Sequence, residues 1–227
     1  NKKISEKGFS DVFIAPAMGD DGTAIGAALI ESVKENSLSK SYFENVYFGS
    51  KYPDDEILEH LNSSNIVHEP VVDPGKEIAE LLAKGMIVAV FQGKSEFGPR
   101  SLGNRSILAP TGDASINESL NNKLKRTEFM PFAPVTRLDD VSECYLDFKG
   151  SLRAMEFMTI TVECTKVMKR LSPAVVHIDG TARPQIVAKK TNNLIYDILT
   201  HYKSMTGIAS LVNTSFNVHE EPIVCSI

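Results

Sequence analysis

Apolar positions recur along the chain with two different periods, and a few stretches carry most of that signal. Between Thr191 and Thr206, Ile195, Ile198, Leu199 and Tyr202 fall three and four apart, which predicts an amphipathic helix closed by Gly207. Ile78, Leu81 and Leu82 repeat the pattern after Asp73-Pro74-Gly75, predicting a helix that Lys84-Gly85 ends. The run MIVAVFQG at 86–93 is continuously apolar, as in a strand buried on both faces. Shorter helices are expected from Asp54 through Leu61, from Asn117 to Arg126 and from Val167 to Leu171.

Phe9 to Ala15 reads as a strand, after which GDDG turns the chain into the helix TAIGAALIESVKEN. Ile25, Leu29, Ile30 and Val33, with Ala24, Ala27 and Ala28, cover too much of that helix for one contact surface. Met155 to Cys164 alternates like a strand, whereas 138–150 is acidic and irregular. In VVHIDGTARPQIV two β-rich runs flank Asp179-Gly180, the pattern of a hairpin. A strand at 208–212 then runs into Asn213-Thr214-Ser215-Phe216-Asn217. Strand alternation would set Asn213, Ser215 and Asn217 on one face.

Composition narrows the class. The 227 residues suit one large domain, or one domain with a piece of another, and 42% hydrophobic and 23% charged content is ordinary for a globular protein. A net charge of −5 argues against a general nucleic-acid binder. From Lys94 to Arg126, however, six Lys or Arg face three Asp or Glu, a local balance of +3 that suits a small anion. Cys144, Cys164 and Cys225 are odd in number and lack a CxxC spacing, so they read as thiols in a reducing, cytoplasmic compartment. Neither a leader-like stretch nor an 18-residue apolar run is visible, so no membrane association is expected. The chain does not open with Met and stops at Cys225-Ser226-Ile227 after an apolar run, which points to a piece of a longer protein.

The candidate chemistry centres on EFGPRSLGNRSILAP, residues 96–110. Gly98, Pro99 and Gly103 break and pin the backbone, while Arg100 and Arg105 bring planar forks that fit phosphate or carboxylate. Asn104 and Ser106 add short polar arms. The loop is a rigid, donor-rich cradle for an anion, or else a surface turn with two solvated arginines. Lys123, Lys125 and Arg126 read as a solvated helix end or as the rim of that cradle. His177 and Arg183 flank the Asp179-Gly180 turn and could close a pocket, although a histidine on an apolar run is commonly a hydrogen-bonded core residue. Asp20 is either a helix-end acid or a nucleotide or metal edge. His60 and His68 lack partners at ligand spacing.

GPRSLGNRSIL resembles the GPRALGNRSIL signature of the nodulation-factor and antibiotic O-carbamoyltransferases. PAVVHIDGTARPQIV, LVNTSFNVHEEPIV and PAMGDDGTAIGAAL also resemble that family, in the right order. The resemblance implies an α/β fold: a YrdC-like twisted mixed sheet with flanking helices over 76–227, a connector over 38–75, and the tail of an actin-like domain over 1–37. It implies that Ser215-x-Asn217 with Asn213 and Thr214 belongs to an adenylation site. There carbamoyl phosphate and ATP, with Mg2+, would give carbamoyl adenylate for a hydroxyl acceptor. Asp20 would be a ligand of Fe2+ in the full-length protein, and the apolar helix face could pair with a second copy. The sequence departs from the family pattern at Leu124, Thr127 and Met130, and at His219-Glu220, where the family carries Arg-Gly. Two other classes fit the motifs less fully: a non-catalytic nucleotide-binding regulatory module and a YrdC-like tRNA-modification factor. The acidic balance argues against the latter.

Overall fold

The computed structural model describes residues 2–5, 9, 12–35, 44–125 and 131–227. Helix α1 (Asp21–Lys34) contributes no buried side chain and leaves Ile30 and Val33 exposed. Helix α2 (Asp54–Ser63) follows a strap at 45–52, and α3 (Pro74–Ala83) starts where Asp73 caps the Lys76 amide at 3.1 Å. The strand β1 (Val88–Phe91) then leads through the arginine loop to β2 (Arg105–Pro110). Helix α4 (Ile116–Lys123) and β3 (Ala133–Arg137) come next, then β4 (Val162–Glu163) and α5 (Lys166–Leu171). The chain closes with β5 (Thr181–Ala182), β6 (Gln185–Val187), α6 (Asn193–Thr206) and β7 (Ser210–Ser215).

The fold is α/β. A mixed five-stranded sheet runs in the order β1-β2-β7-β3-β6, antiparallel except for the parallel β3/β6 pair. Alternation along β2 divides the core. Leu108 faces a cluster with Leu211, Val135 and the helices α3 and α6, whose Leu82, Ile195, Ile198 and Leu199 are fully buried. Ile107 and Ala109 face the opposite cluster, built with Leu120, Phe132, Met155 and Ile160. The spacing of apolar residues in α6 is therefore its contact with the sheet. Truncating Leu199 to Ala would cost about 2–5 kcal/mol.

The register decides where the motifs meet. Ser106 lies opposite Ser215, and Asn213 stands between Leu108 and Ala133. Gln185 pairs with Val135 on the next strand. The first residues of β2, β3 and β6 and the last of β7 thus gather at one end of the sheet.

Three local expectations differ from the structure. Residues 12–15 form no strand, with Val12 donating instead to the Gly150 carbonyl at 3.0 Å; residues 10 and 11 lie outside the described ones. The Met155–Cys164 run is a helical turn ending at Met155 and then the two-residue β4, because Met158 takes a left-handed φ of 55° that ends any extended run. The Asp179-Gly180 turn exists, closed by His177 N–H on the Thr181 carbonyl at 2.7 Å. Its two arms do not pair as a hairpin: 173–175 is a 3-10 turn, β5 pairs with β4, and β6 joins the main sheet.

Candidate functional site

Almost every backbone polar group between Ser101 and Arg105 has a partner. Glu96 Oε1 accepts from the amides of Leu102, Asn104 and Arg105 at 2.6, 2.8 and 3.3 Å, and the Gly103 amide donates to Ser106 Oγ at 2.9 Å. On the carbonyl side, Asn213 Nδ2 donates to Ser101 O, Gln185 Nε2 to Leu102 O and Gln92 Nε2 to Gly103 O. Gly103 holds φ 108°, and a Cβ there would stand 2.6 Å from Ile195 on α6, so no larger residue fits the turn. Three of the loop's amide donors are thus spent on its own Glu96 and a fourth on Ser106. What the loop presents outward is Arg100.

Arg105 does not join it, against the expectation that both arginines face one pocket. As the first residue of β2 it pairs with Phe91, and its guanidinium lies 3.7 Å above that ring. Nη1 donates to Gln92 O at 2.6 Å and Asn104 O at 2.9 Å, and Nη2 to Ser50 O and Gly93 O at 3.3 Å each. The side chain is fully buried, and burial lowers its pKa although Glu96 acts the other way. Arg105 is a tie between chain segments.

Arg100 instead lines a cleft of about 100 Å³ at the converging strand ends. Arg183, just before β6, lines the same cleft, with Thr214 and Ser215 on the polar side and Phe132 and Met158 on the apolar side. Burial lowers the pKa of both arginines, and for Arg183, where the charge of Arg100 adds to the effect, it falls to about 10. Among the described residues neither guanidinium forms an ion pair, and Arg100 Nε is buried without a hydrogen-bond partner. Two partly desolvated cations thus face one small cleft with no counter-charge among the described residues, an arrangement whose chemistry suits an anion.

The remaining candidates divide. Asn213 also lines the cleft, but its amide bridges Gln185 Oε1 at 2.6 Å and Ser101 O at 3.2 Å. Asn104 is likewise occupied, donating to Lys94 O and accepting from Asn192. Ser215 donates its hydroxyl to Asn217, and the two share a second cleft of about 380 Å³ that meets the first at Pro99 and Ser215. His177 is bonded through Nδ1 to Thr181 at 3.0 Å and does not line the arginine cleft; burial lowers its pKa. Lys123 and Lys125 are exposed at the end of α4, where the Leu124 carbonyl accepts from the His219 amide and ties that end to the exit of β7. Arg126 lies outside the described residues.

Asp20 is exposed at the start of α1, and among the described residues no three metal-ligating side chains gather. The described residues therefore do not fit a metal centre. No helix among them is long and apolar enough to cross a membrane. Sequence reasoning missed Glu96, Gln92 and Gln185, which fix the loop. The legible signal was a carboxylate inside a stretch otherwise rich in donors.

A family model described as Carbamoyltransferase C-terminus matches residues 79–227. The uncharacterized protein MJ1058 of Methanocaldococcus jannaschii is 40% identical over 224 residues, covering 95% of this chain and 36% of the relative. Nodulation protein NolO of Bradyrhizobium diazoefficiens is 36% identical over 233 residues, covering 100% of this chain and 42% of its own length. This chain thus spans about two-fifths of the length of these curated relatives. Among solved structures, HypF of T. kodakarensis aligns with a TM-score of 0.47 at 20% identity, over 69% of this chain and 19% of that one. On the match from 79 to 227, the chain belongs to the carbamoyltransferase C-terminus family.

Proposed function

We propose that this chain is the adenylate-forming part of an O-carbamoyltransferase. Carbamoyl phosphate, ATP and water, with Mg2+, would be converted at the converging strand ends to carbamoyl adenylate, with release of inorganic phosphate from carbamoyl phosphate and of pyrophosphate from ATP. A small-molecule hydroxyl, served by the rest of a full-length protein, would accept the carbamoyl group. The observation that carries this reading is the Arg100–Arg183 pair, two half-buried cations in one small cleft that form no ion pair among the described residues. Joining two polyanions needs positioning and charge neutralisation more than a nucleophile, and the pair supplies both. Ser215, at the junction of the two clefts, stands where the two substrates would meet. Lys123 and Lys125, exposed at the end of α4 that is tied to the exit of β7, would form the rim.

The test is labelled pyrophosphate–ATP exchange with and without carbamoyl phosphate. Exchange that depends on carbamoyl phosphate and disappears in Arg100→Ala supports the enzyme. Binding of ATP and carbamoyl phosphate with no exchange would make the chain a binding module.

A further inference from the structure

The arginine loop is held from a direction that the family match does not include. The strap at 45–52 precedes residue 79, yet it is stitched to the loop along its length. Gly49 N–H donates to Ser95 O at 3.0 Å, Ser95 N–H to Ser50 O at 2.9 Å, and Phe97 N–H to Val46 O at 2.7 Å. Tyr47 places its hydroxyl inside the loop, donating to Leu102 O at 2.9 Å and accepting from Asn192 Nδ2 at 3.2 Å. Burial, ahead of the smaller influences of Asn192 and Glu96, pushes its pKa up to about 12 and keeps it a donor. Val46 is buried in a cluster with Leu102, Ala133 and Met158, and the last two line the Arg100 cleft.

We infer that the strap positions the anion cleft, with Tyr47 as its key residue fixing Leu102 and thereby the backbone from which Arg100 projects. The inference rests on the reading of that cleft as an anion site. An arginine held in place before the anion arrives loses less freedom on binding, so a loosened loop shows first as lost affinity. The strap belongs to a small satellite cluster separate from the two that bury the sheet, so loosening it leaves the sheet standing.

Tyr47→Phe in the full chain tests this, with inorganic phosphate as the calorimetric probe. The substitution should weaken phosphate binding about fivefold, the scale of one lost hydrogen bond, with the melting midpoint little changed. In an Arg100→Ala background it should cost nothing further, because it acts through Arg100. An equal loss in both backgrounds, or no loss in either, overturns the inference. Hydrogen exchange supplies a second arm. Tyr47→Phe, or Gly49→Val, whose Cβ would stand 1.9 Å from Ser95 Oγ, should speed exchange at the Leu102, Asn104 and Arg105 amides about tenfold and leave β7 unchanged. If the wild-type chain binds no phosphate, the reading of the site fails and exchange alone judges the strap. Faster exchange at the loop then supports it, and unchanged exchange overturns it.

Discussion

Replacing Arg183 by Met should stabilise the ligand-free protein and impair it as a binder. Arg183 sits in the cleft with its pKa near 10, about 2.5 decades below the ordinary arginine value. At about 1.4 kcal/mol per decade that is about 3 kcal/mol of cost for holding the charge there. The sign follows from the direction: a depressed cation burdens the fold at every pH below about 10 and releases that burden above it. The side chain is partly exposed, and its aliphatic stem contributes packing that Met retains, so the net gain is discounted to about 1–2 kcal/mol. In a domain of this size that raises Tm by about 2–8 °C. An anion does for the wild type what the substitution does for the variant, since it supplies the missing counter-charge. Thermal melting with and without phosphate at neutral pH therefore distinguishes the two. Wild-type Tm should climb with phosphate, whereas the variant should start higher and respond less, having lost about 1.5–3 kcal/mol of binding. A variant that melts lower without phosphate, yet gains as much from it as the wild type, would refute the reasoning.

Arg100→Ala should leave Tm within about 1–2 °C while weakening anion binding, whereas Arg105→Met should destabilise by about 3 kcal/mol or more, because four carbonyls lose a charged donor; denaturant titration separates the two. Burial would raise the Asp140 pKa, but Arg137 at 2.7 Å and Lys203 at 2.8 Å outweigh it and hold it below the usual carboxylate range. The stability this gives is complete above the ordinary aspartate value and lost as pH falls through the depressed one. Asp140→Asn should accordingly destabilise at pH 7 and flatten the acid limb of the stability–pH profile. Glu220 holds φ 66°, so Glu220→Gly should stabilise by about 1 kcal/mol in chemical denaturation.

The last of these shows how far local sequence reaches. Glu220 stands where the family pattern has glycine, and the structure keeps the left-handed turn although the residue that favours it is gone. The turn is closed locally by Glu221 N–H on Val218 O and Asn217 Nδ2 on Glu221 O, and its segment is tied across the fold by His219 N–H on Leu124 O. Where the determinants are local, the sequence reading holds. Asp73 caps α3, and Ile195, Ile198, Leu199 and Tyr202 of α6 face inward. The run at 86–93 does form a strand, but β1 lies at the edge of the sheet with Ala89 exposed and is not buried on both faces, because among the described residues only β2 pairs with it. The reading fails at Met155–Cys164 and across Asp179-Gly180, where pairing partners lie far along the chain.

Within the site, sequence by itself determined the inventory: a glycine-broken loop with two arginines, a polar run after a strand, and Arg183 beside a turn. The tertiary structure decided which of these groups remain available. Arg100 and Arg105 are alike in charge, reach and neighbours, so no local rule separates them. Pairing Arg105 with Phe91, and bringing Ser50 from another part of the chain, engages both terminal nitrogens of its guanidinium with backbone carbonyls. Arg100 and Arg183, 83 residues apart, are left in one cleft. A donor's chemistry is written in its side chain, but whether that donor is spent within the fold depends on acceptors that only long-range pairing brings within reach.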